Sequence, residues 1–108
     1  MDRSFRIKKN QEFADIISTK QLIKSPCFNI FYKKNNVGHL RFGLSVSKKI
    51  GNAVVRNKTK RQLRSFININ KKLQNSCYDI VVIPKGEFLK KSYKENLELF
   101  FGKVETLI

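Results

Sequence analysis

Between Lys48 and Arg64 the chain carries Lys48, Lys49, Arg56, Lys58, Lys60, Arg61 and Arg64, and no carboxylate. Cations at that density repel one another unless an anion lies opposite, and a phosphate backbone is the anion that suits a row of them. Three of the six arginines (Arg56, Arg61, Arg64) fall within nine residues. Lysine supplies a point charge, whereas the planar guanidinium grips phosphate in a fixed bidentate geometry, so the specific contacts belong here. The wider pattern agrees. The 108-residue chain has a net charge of +15. Between Asp15 and Asp79 it has fourteen Lys and Arg and no acid. A surface charged only for solubility would mix its signs. Nucleic-acid binding is the class that fits.

Bond-breaking chemistry has few residues to draw on. A two-metal nuclease needs clustered carboxylates, and the acid-free middle removes them unless Asp15, Asp79 and a C-terminal glutamate converge. A histidine-based nuclease needs an acid and a base, and His39 stands alone beside Gly38 in a turn. Gly51-Asn52 is a common helix start and not a phosphate loop. Cys27 and Cys77 are isolated, each ahead of an apolar run, and read as reduced core thiols without a metal. The expectation is a binding subunit with no catalytic residue and no metal ligand of its own. No small-molecule substrate is expected. No apolar run approaches the ~20 residues of a membrane span, and no signal-peptide core follows Met1–Arg6. The expected location is cytoplasmic.

One domain over residues 1–108 must position these cations. Phe13, Ala14, Ile16 and Ile17 recur at helical spacing between Asn10 and Thr19, with Asn10 as N-cap. Cys27–Lys34 and Leu40–Ser47 alternate as strands, and the polar Asn35–His39 stretch between them reads as a hairpin loop. Alternation sends Phe28, Ile30 and Tyr32 to one face and Asn29, Phe31 and Lys33 to the other, while Phe42, Leu44 and Val46 oppose Arg41, Gly43 and Ser45. A long helix runs from Asn52 to about Asn70. At 100° per residue, Val55, Thr59, Leu63, Phe66 and Ile67 form its core arc, and Arg56, Lys60, Arg64, Asn57 and Arg61 occupy the adjoining ~140°. Tyr78–Pro84 is apolar on both parities, as an inner strand is. Phe88–Leu107 reads as a closing helix. The order is α-β-β-α-β-α, with an extra short strand near Lys20–Lys24: an α+β fold of a single sheet with packed helices.

On this reading Lys48, Lys49 and the helix cations contact RNA or DNA phosphates. Phe31 is either a stacking platform for an unpaired base or a packing partner under the first helix, and Phe13 is either core or ligand surface.

Three blocks carry a family resemblance: Arg6-Ile-Lys-Lys-Asn10 with Phe13, Gly43-Leu-Ser-Val-Ser-Lys-Lys-Ile-Gly-Asn-Ala-Val-Val55, and Arg56-Asn57-Lys58-x-Lys60-Arg61-x-x-Arg64. Together they resemble the protein subunit of bacterial ribonuclease P over most of the chain. The resemblance implies a fold similar to one domain of a ribosomal protein, with a left-handed β-α-β crossover at the long helix, against the general right-handed rule. It further implies that a catalytic RNA performs the Mg²⁺-dependent removal of the 5′ leader from precursor tRNA. The Mg²⁺ would be held by that RNA and not by the protein. The RNA-binding surface would be Lys48, Lys49, Asn52, Arg56, Asn57, Lys58, Lys60, Arg61 and Arg64. The leader cleft would include Phe13 and Phe31. Three positions depart from the family pattern: Lys58 for a second arginine, Ile17 for an aromatic, and Ser65 for an acidic or amide residue. The competing functions are a ribosomal or RNA-chaperone binding protein with no part in tRNA processing, and a protein-only nuclease.

Overall fold

The computed structural model describes residues 5–108; residues 1–4, including Asp2 and most of the opening segment, lie outside it. Helix α1 (Asn10–Ser18) precedes strands β1 (Leu22–Lys24), β2 (Phe28–Lys34) and β3 (Arg41–Leu44). A 3-10 turn at Lys48–Ile50 leads into α2 (Ala53–Asn68), followed by α3 (Lys71–Gln74), β4 (Tyr78–Pro84), a second 3-10 turn at Gly86–Lys90, and α4 (Tyr93–Val104).

The four strands form one sheet in the order β1-β2-β4-β3. β2 pairs antiparallel with β1 and β4, whereas β3 runs parallel to β4. The expected hairpin between the second and third strands is therefore not formed. β4 lies between them, because a strand apolar on both parities needs a neighbour on each side and cover on each face. The chain reaches β4 from β3 by a crossover through α2 and α3, as parallel pairing requires. The extra strand near Lys20–Lys24 is present as the edge strand β1.

The sheet has two unequal sides. Phe28, Ile30, Phe42, Ile80 and Val82 face a large core with Leu63, Phe66 and Ile67 of α2, Leu73 of α3, and Phe100 and Val104 of α4. Phe66 is its hub, with ring centroids 5.2–6.2 Å from Tyr93, Phe100 and Phe88. The opposite side holds a small cluster of Ile7, Ile16 and Val81, with Phe13, Phe31 and Ile83 packed against it beneath α1. Alternation along β2 and β4 divides the residues between the two.

Helix ends differ from expectation in two places. α1 starts at Asn10 itself, and Lys9 occupies the cap position without a side-chain hydrogen bond. The closing helix starts only at Tyr93, because Ser92 and Glu95 form a capping box: the Ser92 hydroxyl accepts from the Glu95 N–H (3.1 Å) and the Glu95 carboxylate from the Ser92 N–H (3.0 Å). Leu89, within the range read as that helix, lies ahead of it, and both Leu89 and Tyr93 are exposed. Cys77, read as a core thiol, is exposed at a strand entrance, while Cys27 is buried, and burial pushes its thiol pKa up.

The bonds from Ser92 hold the Glu95 carboxyl below the usual carboxylate range. The folded state thus takes up this proton less readily than the unfolded chain, and the cap's stabilising contribution is present above that range and lost as pH falls through it. Amides of the first turn of α4 should exchange faster as pH falls through and below the usual carboxylate range, after correction for intrinsic rates. Glu95→Gln should abolish that pH dependence.

Candidate nucleic-acid interface

α2 owes its start to Asn52, whose side-chain oxygen accepts from the Val55 N–H at 3.0 Å. The 3-10 turn ahead of it is set by Ser47, whose hydroxyl accepts from the Lys49 N–H at 3.1 Å. Gly51 lets the chain pass this helix closely, since a Cβ there would lie 2.9 Å from a Val55 methyl. Lys48, Lys49, Asn52 and Asn57 are all exposed around this entry. Thr59, Leu63, Phe66 and Ile67 are buried as the core arc predicts, and Val55 is half-buried. Arg61 and Arg64 are exposed, and Arg56 and Lys60 are partly so. None of the four is in a salt bridge among the described residues.

Lys60 and Arg64 line a cavity of about 130 Å³ together with Arg6, Ile7, Phe13, Phe42, Gly43 and Leu44. It sits at the outer edge of β3, where the chain before α1 pairs through Ile7 N–H to the Phe42 carbonyl at 2.8 Å. Phe13 reaches it because residue 43 is glycine: a Cβ there would lie 2.3 Å from the Phe13 ring. The fold thus joins Phe13, expected in the leader cleft, to two helix cations around one acid-free hollow. Arg6 completes the hollow and was not among the expected site residues, although it opens the first motif block. Phe31 shares the same sheet face and the same cross-strand row (Leu22, Phe31, Val81, Gly43), about 10 Å from Gly43 at two strand spacings. It is half-buried against Ile7, Ile16 and Val81. Both readings of its role have a basis: it packs beneath α1 and keeps an exposed edge.

Lys58 is not with the others. It lines a separate hollow on the opposite flank of α2, two positions and hence about 200° round the axis from Lys60.

Among the described residues no three of His, Cys, Asp and Glu come together. Asp79 and Glu12 converge on Arg41 instead, which donates from Nε to Asp79 Oδ1 (3.0 Å) and from Nη2 to Oδ2 (2.7 Å), and pairs through Nη1 with Glu12 Oε2 (2.7 Å). Asn35 Nδ2 also donates to Asp79 (2.8 Å). Asp79 is buried, so this fork satisfies its charge, ties α1 to β3 and β4, and raises the Arg41 pKa further above its ordinary value.

A sequence profile of the family described as Ribonuclease P matches residues 1–105. The chain belongs to the ribonuclease P protein family. The Ribonuclease P protein component of Mycoplasma capricolum is 46% identical over 102 residues, covering 94% of each chain. That of Mesoplasma florum is 46% identical over 91 residues, covering 83% of each. The solved RNase P protein of Staphylococcus aureus shares the fold with a TM-score of 0.85 at 31% identity, over 95% of this chain and 94% of that one. The three departures from the ribonuclease P pattern have definite places. Ile17 is exposed on α1, Lys58 lines the far hollow, and the Ser65 hydroxyl bonds the Tyr93 hydroxyl at 2.7 Å, linking α2 to α4. No described helix is long and apolar enough to cross a membrane.

Proposed function

We propose that this chain is the protein subunit of ribonuclease P, and that it assists a catalytic RNA in removing the 5′ leader of precursor tRNA. The observation that carries the reading, beyond family membership, is the joining of Phe13 to Lys60 and Arg64 around one hollow. A docking face for one RNA and a stacking face for another are thereby made continuous. Lys48, Lys49 and the basic arc of α2 hold the catalytic RNA by its phosphates. The half-exposed aromatic face under α1 receives unpaired leader bases, which stack on Phe13 and Phe31. The cleaving chemistry and its Mg²⁺ belong to the RNA, and the protein's positive charge lowers the Mg²⁺ needed for assembly.

Reconstitution with the cognate ribonuclease P RNA tests this. Adding the protein at low Mg²⁺ should stimulate cleavage of precursor tRNA. Absence of stimulation would leave an RNA chaperone or ribosomal protein as the better reading, and cleavage by the protein without RNA would make it a nuclease. Within the holoenzyme, Phe31→Ala should weaken substrates that carry a leader by about 1–3 kcal/mol, the range for one base on an aromatic platform. Leaderless tRNA should bind unchanged. Equal loss for both would assign Phe31 to packing alone.

A further inference from the structure

Across α2 from the basic arc, a cavity of about 230 Å³ opens between the helix and the 3-10 turn at Gly86–Lys90. It is smaller than the ~300–1,000 Å³ typical of small-molecule sites. Its walls are apolar, from Val55, Phe88 and the exposed Leu89, with Thr59 between them. The Thr59 hydroxyl is already bonded to the Val55 carbonyl at 2.9 Å. The polar groups left for a ligand are the Gln62 amide and the ammonium groups of Lys58 and Lys91. None of these three makes a side-chain hydrogen bond or salt bridge among the described residues. The nearest carboxylate on the turn, Glu87, is paired with Lys90 at 3.0 Å. No acid lines the hollow. Two other cavities differ: that around Pro26 and Leu99 includes Glu87 and Glu95, and that at the Asn35 loop includes Asp79, so this hollow shares its freedom from acids with the hollow of Phe13 on the basic side.

Apolar walls, one amide able both to donate and to accept, and a cation at either side make up the chemistry of a single nucleotide. The walls cover a base, the amide reads its edge, and the ammonium groups meet the flanking phosphates. We infer that this hollow receives one unpaired, extruded nucleotide of the RNA that docks on α2, with Gln62 at the base edge and Lys58 and Lys91 on its phosphates. The inference rests on the ribonuclease P reading and assigns the nucleotide to the catalytic RNA, because Lys58 faces away from the hollow of Phe13. It also gives the lysine at position 58 a role: a flexible point charge that follows a phosphate beside a groove, where an arginine fork would demand one orientation.

The test is equilibrium binding to ribonuclease P RNA alone, without tRNA, together with chemical probing of unpaired bases. Leu89→Ser and Gln62→Ala should each weaken binding roughly five- to tenfold, the low end for a base contact because no exposed aromatic is present. The slope of log K against log salt should stay unchanged for both. Lys91→Ala should make that slope shallower by about one. One unpaired nucleotide protected by the unaltered protein should become reactive again in the Leu89→Ser complex. Thermal melting of each variant separates these effects from loss of fold, and Leu89 and Lys91 are both exposed. Unaltered affinity and an unaltered footprint in both neutral variants would overturn the inference and leave the groove to a protein partner. A loss seen only when precursor tRNA is present would place the nucleotide in the leader and overturn the assignment. If the unaltered protein neither binds nor stimulates the RNA, the ribonuclease P reading itself falls.

Discussion

Arg41→Met should destabilise the fold by about 3 kcal/mol, the low end for stripping the partner from a buried charge. Asp79 would keep the Asn35 amide as its one remaining side-chain donor in place of the bidentate fork. The cost arises from the stranded carboxylate more than from the lost attraction, so Asp79→Asn added to Arg41→Met should recover part of the stability. Urea denaturation of the single and double variants measures this, and a double variant no more stable than the single would show that the charge of Asp79 is not the cause. The damage should also reach function. Arg41 is the polar tie between Glu12 of α1 and the sheet, so α1 should loosen and leader affinity should fall before global unfolding is seen.

The second large effect concerns the basic arc. Replacing Arg56, Lys60, Arg61 and Arg64 together with alanine should weaken RNA binding on the order of 10³-fold at 0.1 M salt, and should flatten log K against log salt by about 3 to 4 units. Arg56→Ala and Arg61→Ala alone should each flatten it by about one. Alanine favours helix, and none of the four side chains belongs to the core; melting temperature should therefore change little. An unchanged slope in the quadruple variant would mean that these cations face solvent in the complex.

The sequence disclosed the parts of this molecule whose causes are local. The core and basic arcs of α2 follow from helical periodicity. Asn52 declares its cap, and the two parities of Tyr78–Pro84 declare a central strand. What stayed hidden depends on distant partners. Asn35–His39 has the polarity of a hairpin loop, yet β3 pairs with a strand more than thirty residues away. The doubly apolar character of that strand held the clue, because both β2 and β3 had to flank it. Alternation places Gly43 on the face of Arg41 and Ser45 without saying why it is glycine, and only Phe13 of α1 overhead explains it. Lys58 sits in the same basic run as Lys60 but on another flank, which a linear motif conceals and a helical projection reveals. Arg6 and the convergence of Glu12 and Asp79 on Arg41 join residues from opposite ends of the chain, and no spacing rule encodes them.

The unequal division of the sheet has a thermodynamic consequence. Most of the buried side chains lie with α2, α3 and α4, while α1 rests on a thin apolar layer, an uncapped start and one ionic fork. Segments held in this way open at a lower free energy than the body that carries them. The wall of the proposed leader groove can therefore breathe on a sheet that stays folded. Substitutions in that wall can alter grip and selectivity while the melting transition, governed by the other side, stays where it is.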